Sequence, residues 1–280
     1  MSSPTTRTAP SAVRAPSTPP TSAIRATGLH SGYRGRSVVR GVDLDVPAGL
    51  ITSIIGPNGC GKSTLVKTLG RLLAPTAGRV ELGGEPLDSL RPRQIAQRLA
   101  ILPQNPVAPE GLVVRDLVAR GRQPHQPWYR QWSAADDQII DDAMAATGVL
   151  DLADRALDEL SGGQRQRAWI AMSLAQQTDL LLMDEPTTHL DLAHAVEVLD
   201  LVVDLCRTTS RTVVMVLHDL SLAARYSDHL VVVRDGRVHA EGAPADVVTP
   251  ALLHEVFGLS AHVFADPVDG LPTVLPVSHA

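Results

Sequence analysis

The apolar run Ile51–Ile55 is followed at once by GPNGCGKST and then by LVKTLGRLL, whose apolar residues recur at helical spacing. Strand, glycine-rich loop and helix in direct succession leave few folds open, because the loop must turn the chain tightly at the carboxyl end of a buried strand. Gly56-x-x-x-x-Gly61-Lys62-Ser63 matches the P-loop pattern in full. Glycines at these positions let the backbone amides of Gly56, Pro57–Asn58–Gly59, Cys60 and Gly61 curl around an anion, proline contributing shape but no amide hydrogen. The following helix adds the positive end of its dipole. Lys62 is placed to reach the β- and γ-phosphates of a nucleotide, Ser63 to set its hydroxyl on Mg²⁺, and Thr64 to touch phosphate next in line. Only two lysines occur among 25 basic residues, and one of them is Lys62. Cys60 reads as a small filler of the loop.

A second apolar run, Leu180–Met183, ends in Asp184, Glu185 and Pro186. A buried strand of this kind delivers carboxylates to the edge of a sheet where a P-loop also lies. Successive strand residues point apart, so Asp184 is assigned to the Mg²⁺ shell and Glu185 to accepting a proton from attacking water. A further glycine motif, LSGGQRQR at Leu160–Arg167, opens a segment of helical spacing with Ser161 as its N-cap. Ser161, Gly162 and Gly163 thus form a second set of backbone donors suited to phosphate. One chain carries two phosphate-binding elements but one lysine-bearing loop, so two antiparallel copies would complete two sites.

Strand runs alternate with helical ones along the chain: Ile24–His30, Val42–Val46, Arg79–Leu82, Leu99–Leu102, Thr212–Leu217, Leu230–Arg234 and Arg237–Ala240 as strands, and Val113–Arg120, Ala134–Thr147, Gly162–Gln176, Leu192–Cys206 and Pro250–Val256 as helices. This order predicts an α/β fold: a P-loop core with a largely parallel sheet. The stretch of about residues 105–160 is expected to be a helical insertion. Residues 1–22, rich in Ser, Thr and Pro, are expected to be a disordered tail, and 259–280 an irregular C-terminal tail. No run reaches the length of a bilayer span, so a membrane role must come through a partner. The net charge of -5 leaves no basic surplus for non-specific nucleic-acid binding. Two cysteines at no metal-ligand spacing suit a reducing cytosol.

Five motifs in order, GPNGCGKST, LSGGQRQR, LLLMDEP, TTHLD and LHD, resemble the nucleotide-binding subunit of an ATP-binding cassette (ABC) transporter over about residues 23–256. The resemblance implies the ABC ATPase fold over residues 23–258, with an antiparallel β subdomain and a helical subdomain added to the core. It also implies hydrolysis of ATP with Mg²⁺ and a head-to-tail pair of copies. In that pair Ser161, Gly162, Gly163 and Gln164 would hold the nucleotide seated on the partner's P-loop. By the same resemblance Tyr33 stacks on adenine, Gln104 senses Mg²⁺ and the attacking water, His218 contacts the γ-phosphate and orients Glu185, and Asp191 crosses the interface between copies.

Within the family, GPNGCGKSTL, ILPQNPVAPEGLVVRDLVARGRQPHQ and ELSGGQRQRAWIAMSLAQ resemble ATPases of iron-siderophore, haem and vitamin B12 importers. An iron(III)-siderophore importer is the favoured reading, with haem or B12 import as the alternative. The partners implied are a separate membrane permease and, indirectly, a substrate-binding protein, with the chain peripheral on the cytoplasmic face of the membrane. Apolar groups between Pro106 and Trp132 would either receive the permease or pack within the helical lobe. His189 stands where this importer group commonly has an aromatic. Cassette proteins acting on ribosomes or DNA repair are set aside, because the chain has a single P-loop, a single signature and no heptad run between them.

Overall fold

The computed structural model describes residues 22–126 and 133–277. Strands β1 (Ser22–Tyr33) and β2 (Arg36–Pro47) form a hairpin whose tip, Arg34–Gly35, has positive φ at both residues, the tight turn that follows strand twist. Alternation along β2 buries Val39, Val42, Leu44 and Val46. With β4 (Ala77–Leu82) and the two-residue β5 (Glu85–Pro86) they make an antiparallel sheet in the order β2-β1-β4-β5.

The second sheet has the order β10-β9-β3-β8-β7-β6. Its members are β3 (Ile51–Ile55), β6 (Leu99–Leu102), β7 (Leu180–Asp184), β8 (Thr212–Val216), β9 (His229–Arg234) and β10 (Arg237–Gly242). Pairs β3/β8, β3/β9, β7/β8 and β6/β7 are parallel, and only β10 runs antiparallel. Every residue of β3, β7 and β8 is buried, as expected for strands covered on both faces. Their alternate side chains feed two cores. Ile54, Leu182, Val214 and Val216 join α1 (Lys62–Leu69) and the antiparallel sheet, whereas Ile55, Leu181, Met183, Val213 and Met215 join the helices of the opposite face.

The helices expected between residues 105 and 160 form as α3 (Val114–Arg120) and α4 (Ala134–Ala146), after a short α2 (Pro92–Ala96) that the sequence did not signal. Both pack on α5 (Gly162–Ala175), which also touches β6 and α6 (Leu192–Thr209), so α5 ties the lobe to the core. A buried ion pair locks this junction: Arg122 Nε donates to Asp136 Oδ1 at 3.0 Å, and Arg122 Nη1 donates to the Ala175 carbonyl at 2.7 Å and Gln177 Oε1 at 2.9 Å. The tryptophan-bearing part of the segment between the two expected helices, residues 127–132, and nearly all of the expected N-terminal tail lie outside the described residues.

The C-terminal expectation requires a correction. After α7 (Leu220–Tyr226), α8 (Pro244–Val247) and α9 (Pro250–Phe257), residues 261–276 form an antiparallel hairpin of β11 (Ala261–Ala265) and β12 (Pro272–Pro276). It packs on α7 and α9, and Arg225 of α7 reaches Asp269 at 2.9 Å and Asp266 at 3.5 Å. Two five-residue strands separated by a polar turn carry too short an alternation to be read locally; the packing surface of α7 decides it. No helix among the described residues is long and apolar enough to cross a membrane.

Candidate nucleotide site

Strand β3 ends at Ile55 and the loop folds back to α1. Gly56 has φ 153, and a Cβ there would sit 2.1 Å from the Val233 carbonyl oxygen, so glycine is required by contact as well as by conformation. Gly61, at φ 110, is the N-cap of α1 and offers no side chain to its first amides. Those amides stay available to an anion. Lys62 is buried, and its Nζ donates to the carbonyls of Gly56 at 2.8 Å and Pro57 at 3.1 Å, folding the ammonium over the loop. Cys60 is buried with its thiol pushed up by burial, which fits a filler and not a nucleophile.

Parallel strands bring the remaining groups to the same carboxyl edge. Gln104 lies two residues beyond β6, Asp184 ends β7 with Glu185 directly after it, and His218 lies two residues beyond β8. Ser63 Oγ donates to Asp184 Oδ1 at 2.8 Å, joining the P-loop to the acidic strand end. Asp184 is 2% exposed, and its Oδ2 is buried without a hydrogen-bond partner. Burial raises its carboxyl above the ordinary value, against the lowering effect of the Ser63 hydroxyl and of Lys67 and Lys62. A hydroxyl and a carboxylate with one orphaned oxygen are hard oxygen donors of the type that holds Mg²⁺ together with nucleotide phosphates, so the residues fit that ion.

Glu185 follows the last residue of β7 and leaves the strand conformation, adopting φ 55. Its Oε1 lies 2.5 Å from His218 Nε2, while Oε2 accepts from Gln104 Nε2 and from Thr188 Oγ1, the latter at 2.9 Å. An open cavity of about 180 Å³ is lined by Asn58, Gly59, Gly61, Lys62, Ser63 and Thr64 on one side and by Glu185 and His218 on the other, with Val38 completing the wall. That volume is below what sites enclosing a small ligand provide, roughly 300 Å³ or more.

The other expected residues line no part of this cavity. Ser161 caps α5: its hydroxyl accepts from the Gln164 amide at 3.3 Å, and Gln164 Oε1 accepts from the Ser161 amide at 3.1 Å. This reciprocal pair fixes the start of the signature helix. Gly163 lies against α6, where a Cβ would be 2.8 Å from the His194 ring. Asp191 caps α6, accepting from the His194 amide at 2.9 Å and meeting His194 Nδ1 at 2.8 Å. Tyr33, at the β1–β2 tip, is 46% exposed, and Leu192 beside Asp191 is 67% exposed. One chain therefore gathers the P-loop, Asp184, Glu185, Gln104 and His218, and leaves Tyr33, Ser161, Gly162 and Asp191 on open surface, with Gly163 buried against α6. Thr188 and Val38 were not singled out from sequence. The signal for Thr188 was present in Glu185-Pro186-Thr187-Thr188, a four-residue turn with proline in its preferred second place.

Residues 39–188 match the protein family described as ABC transporter. The chain belongs to the ABC transporter family. It is 51% identical over 255 residues to "Probable siderophore transport system ATP-binding protein YusV" of Bacillus subtilis (strain 168), covering 91% of this chain and 93% of that protein. It is 46% identical over 254 residues to the ferric enterobactin transport ATP-binding protein FepC of Escherichia coli (strain K12), covering 91% and 94%. Among solved structures, the ATP-binding cassette MJ0796, a dimer in a post-hydrolysis state bound to ADP and Pi, superposes with TM-score 0.69 at 25% identity, covering 79% of this chain and 98% of that one. The fold is that of the ABC ATPases, and the protein is an ATP-hydrolysing ABC transporter subunit. Family membership implies binding of ATP with Mg²⁺.

Proposed function

We propose that this chain powers import of an iron(III)-siderophore complex through a separate membrane permease, working as a head-to-tail pair of copies at the cytoplasmic face, with a substrate-binding protein delivering the cargo. The observation that carries the paired arrangement is the separation just described: one phosphate site converges at the sheet edge while Ser161, Gly162, Gly163, Gln164 and Asp191 stand outside its cavity. A second copy, turned antiparallel, would bring its signature over the open P-loop.

In this reading the free amides of the loop and of the first turn of α1 hold the phosphates, and Lys62 exchanges the Gly56 and Pro57 carbonyls for β- and γ-phosphate oxygens. Ser63, Asp184 and Gln104 would hold Mg²⁺, which when bound offsets the negative charge of the phosphates. Glu185 takes the proton of the attacking water, and His218 at Oε1 keeps the carboxylate turned toward it. Tyr33 stacks on the adenine from the hairpin tip. Contacts from both copies to one γ-phosphate favour closure, and hydrolysis removes that link and allows opening.

The siderophore reading is supported by relatives near half-identical over nine-tenths of the chain whose names specify siderophore or enterobactin transport. Its test is ATPase measurement on the chain reconstituted with its co-purified permease, challenged with iron(III)-siderophores, haem and cobalamin. Stimulation by ferric siderophores is expected; stimulation by haem or cobalamin alone would replace the iron reading.

A further inference from the structure

Glu185 is held by one group more than orientation by His218 and Gln104 calls for. The Thr188 amide donates to the Glu185 carbonyl at 3.2 Å, closing a turn whose second residue is Pro186. This turn folds the half-buried Thr188 back over the carboxylate, and its hydroxyl donates to Oε2 at 2.9 Å. Gln104 Nε2 donates to the same oxygen. Each carboxylate oxygen offers about two acceptor positions. Among the described residues Oε2 has both filled, whereas Oε1 is met by His218 Nε2 alone.

We propose that Thr188 is a positioning residue which, together with Gln104, saturates Oε2 of Glu185 and thereby makes Oε1, the oxygen beside His218, the acceptor of the water proton. The inference rests on the reading of Glu185 as general base. The terminal torsion of a glutamate is broad and roughly two-fold, so burial alone does not choose between the two oxygens. A second donor on Oε2 does choose.

The test compares Thr188→Val, which keeps the shape and removes the hydroxyl, with Thr188→Ser, which keeps the hydroxyl. Thr188→Ala is the backup where valine disturbs the turn. Losing a hydrogen bond to a charged group is expected to lower kcat by about tenfold or more in the Val and Ala variants, with KM for ATP unchanged. The Ser variant should stay within about twofold of wild type. Equal behaviour of Val and Ser, or a rise in KM with kcat intact, would overturn the proposal. Glu185→Gln assayed alongside separates the two layers. If it turns over at wild-type rate, the general-base reading itself fails; if it is inactive while Thr188→Val matches wild type, only the role of Thr188 fails.

Discussion

Replacing Asp184 with Asn should move stability in opposite directions with and without nucleotide. In the free chain the buried carboxylate leaves Oδ2 without a partner, a penalty of about 1–3 kcal/mol for such a group. Asparagine keeps an acceptor toward Ser63 and removes the charge, so roughly 1 kcal/mol should be recovered, or about 2–4 °C in a chain of this size. The sign also depends on pH. Burial raises the folded carboxyl above its unfolded value of about 3.9, so the folded chain binds that proton more tightly. Stability of the free wild type therefore falls as pH rises from about 3.9 through the folded value. The advantage of Asp184→Asn should be absent on the acid side of that window and complete once the pH is above the folded value. With Mg²⁺ and ATP at about a hundred times Kd the wild type should gain about 2.7 kcal/mol, and the variant should lose most of this because its metal-side charge is gone. Thermal unfolding at several pH values, with and without Mg·ATP, reads both effects. A free variant less stable than wild type at neutral pH, with an undiminished gain from Mg·ATP, would refute the assignment of Asp184 to the metal.

Three other outcomes follow from the same geometry. Glu185→Gln should keep ATP binding, lower turnover by about 10²–10⁴-fold and accumulate an ATP-bound dimer, read by sedimentation. Lys62→Ala should weaken ATP affinity in calorimetry, since among the described residues no other lysine or arginine lines the cavity. Arg122→Met should destabilise the chain by about 3–5 kcal/mol by removing the cation from the buried Asp136, which keeps the Ser133 hydroxyl as a donor, measured by denaturant unfolding. The Ser133 hydroxyl, with Arg122, holds the folded Asp136 carboxyl low, so its stabilising contribution is present above about pH 3.9 and fades as pH falls through that lower value.

What could be read from sequence was whatever is encoded locally. Ile51–Ile55, the glycine loop and α1 are contiguous, and Asp184 and Glu185 follow directly from a strand, so their placement needs only the parallel sheet. Ser161 is legible as a helix start for the same reason, whereas Asp191 enters by resemblance alone and its capping of α6 is seen in the structure. The partners of these residues were less accessible. That Thr188 reaches Oε2 of Glu185 depends on a turn at φ 55, and that Gly163 abuts His194 depends on how α5 meets α6. The β11–β12 hairpin is not legible because its strands are short and the surfaces it packs on include α7, which is distant in sequence.

The claim that each site is built from two copies is open to a direct measurement. Asn58→Cys and Ser161→Cys, made in separate copies and mixed, place one thiol on the P-loop wall and one on the signature cap, while the native Cys60 and Cys206 are buried. Oxidation with Mg·ATP present should produce a disulfide-linked species of twice the 29.8 kDa chain, only in the mixture and only with nucleotide. If the mixture gives no such species, while a single chain carrying both cysteines forms an internal disulfide at 29.8 kDa, the signature serves its own P-loop and the two-copy site is wrong.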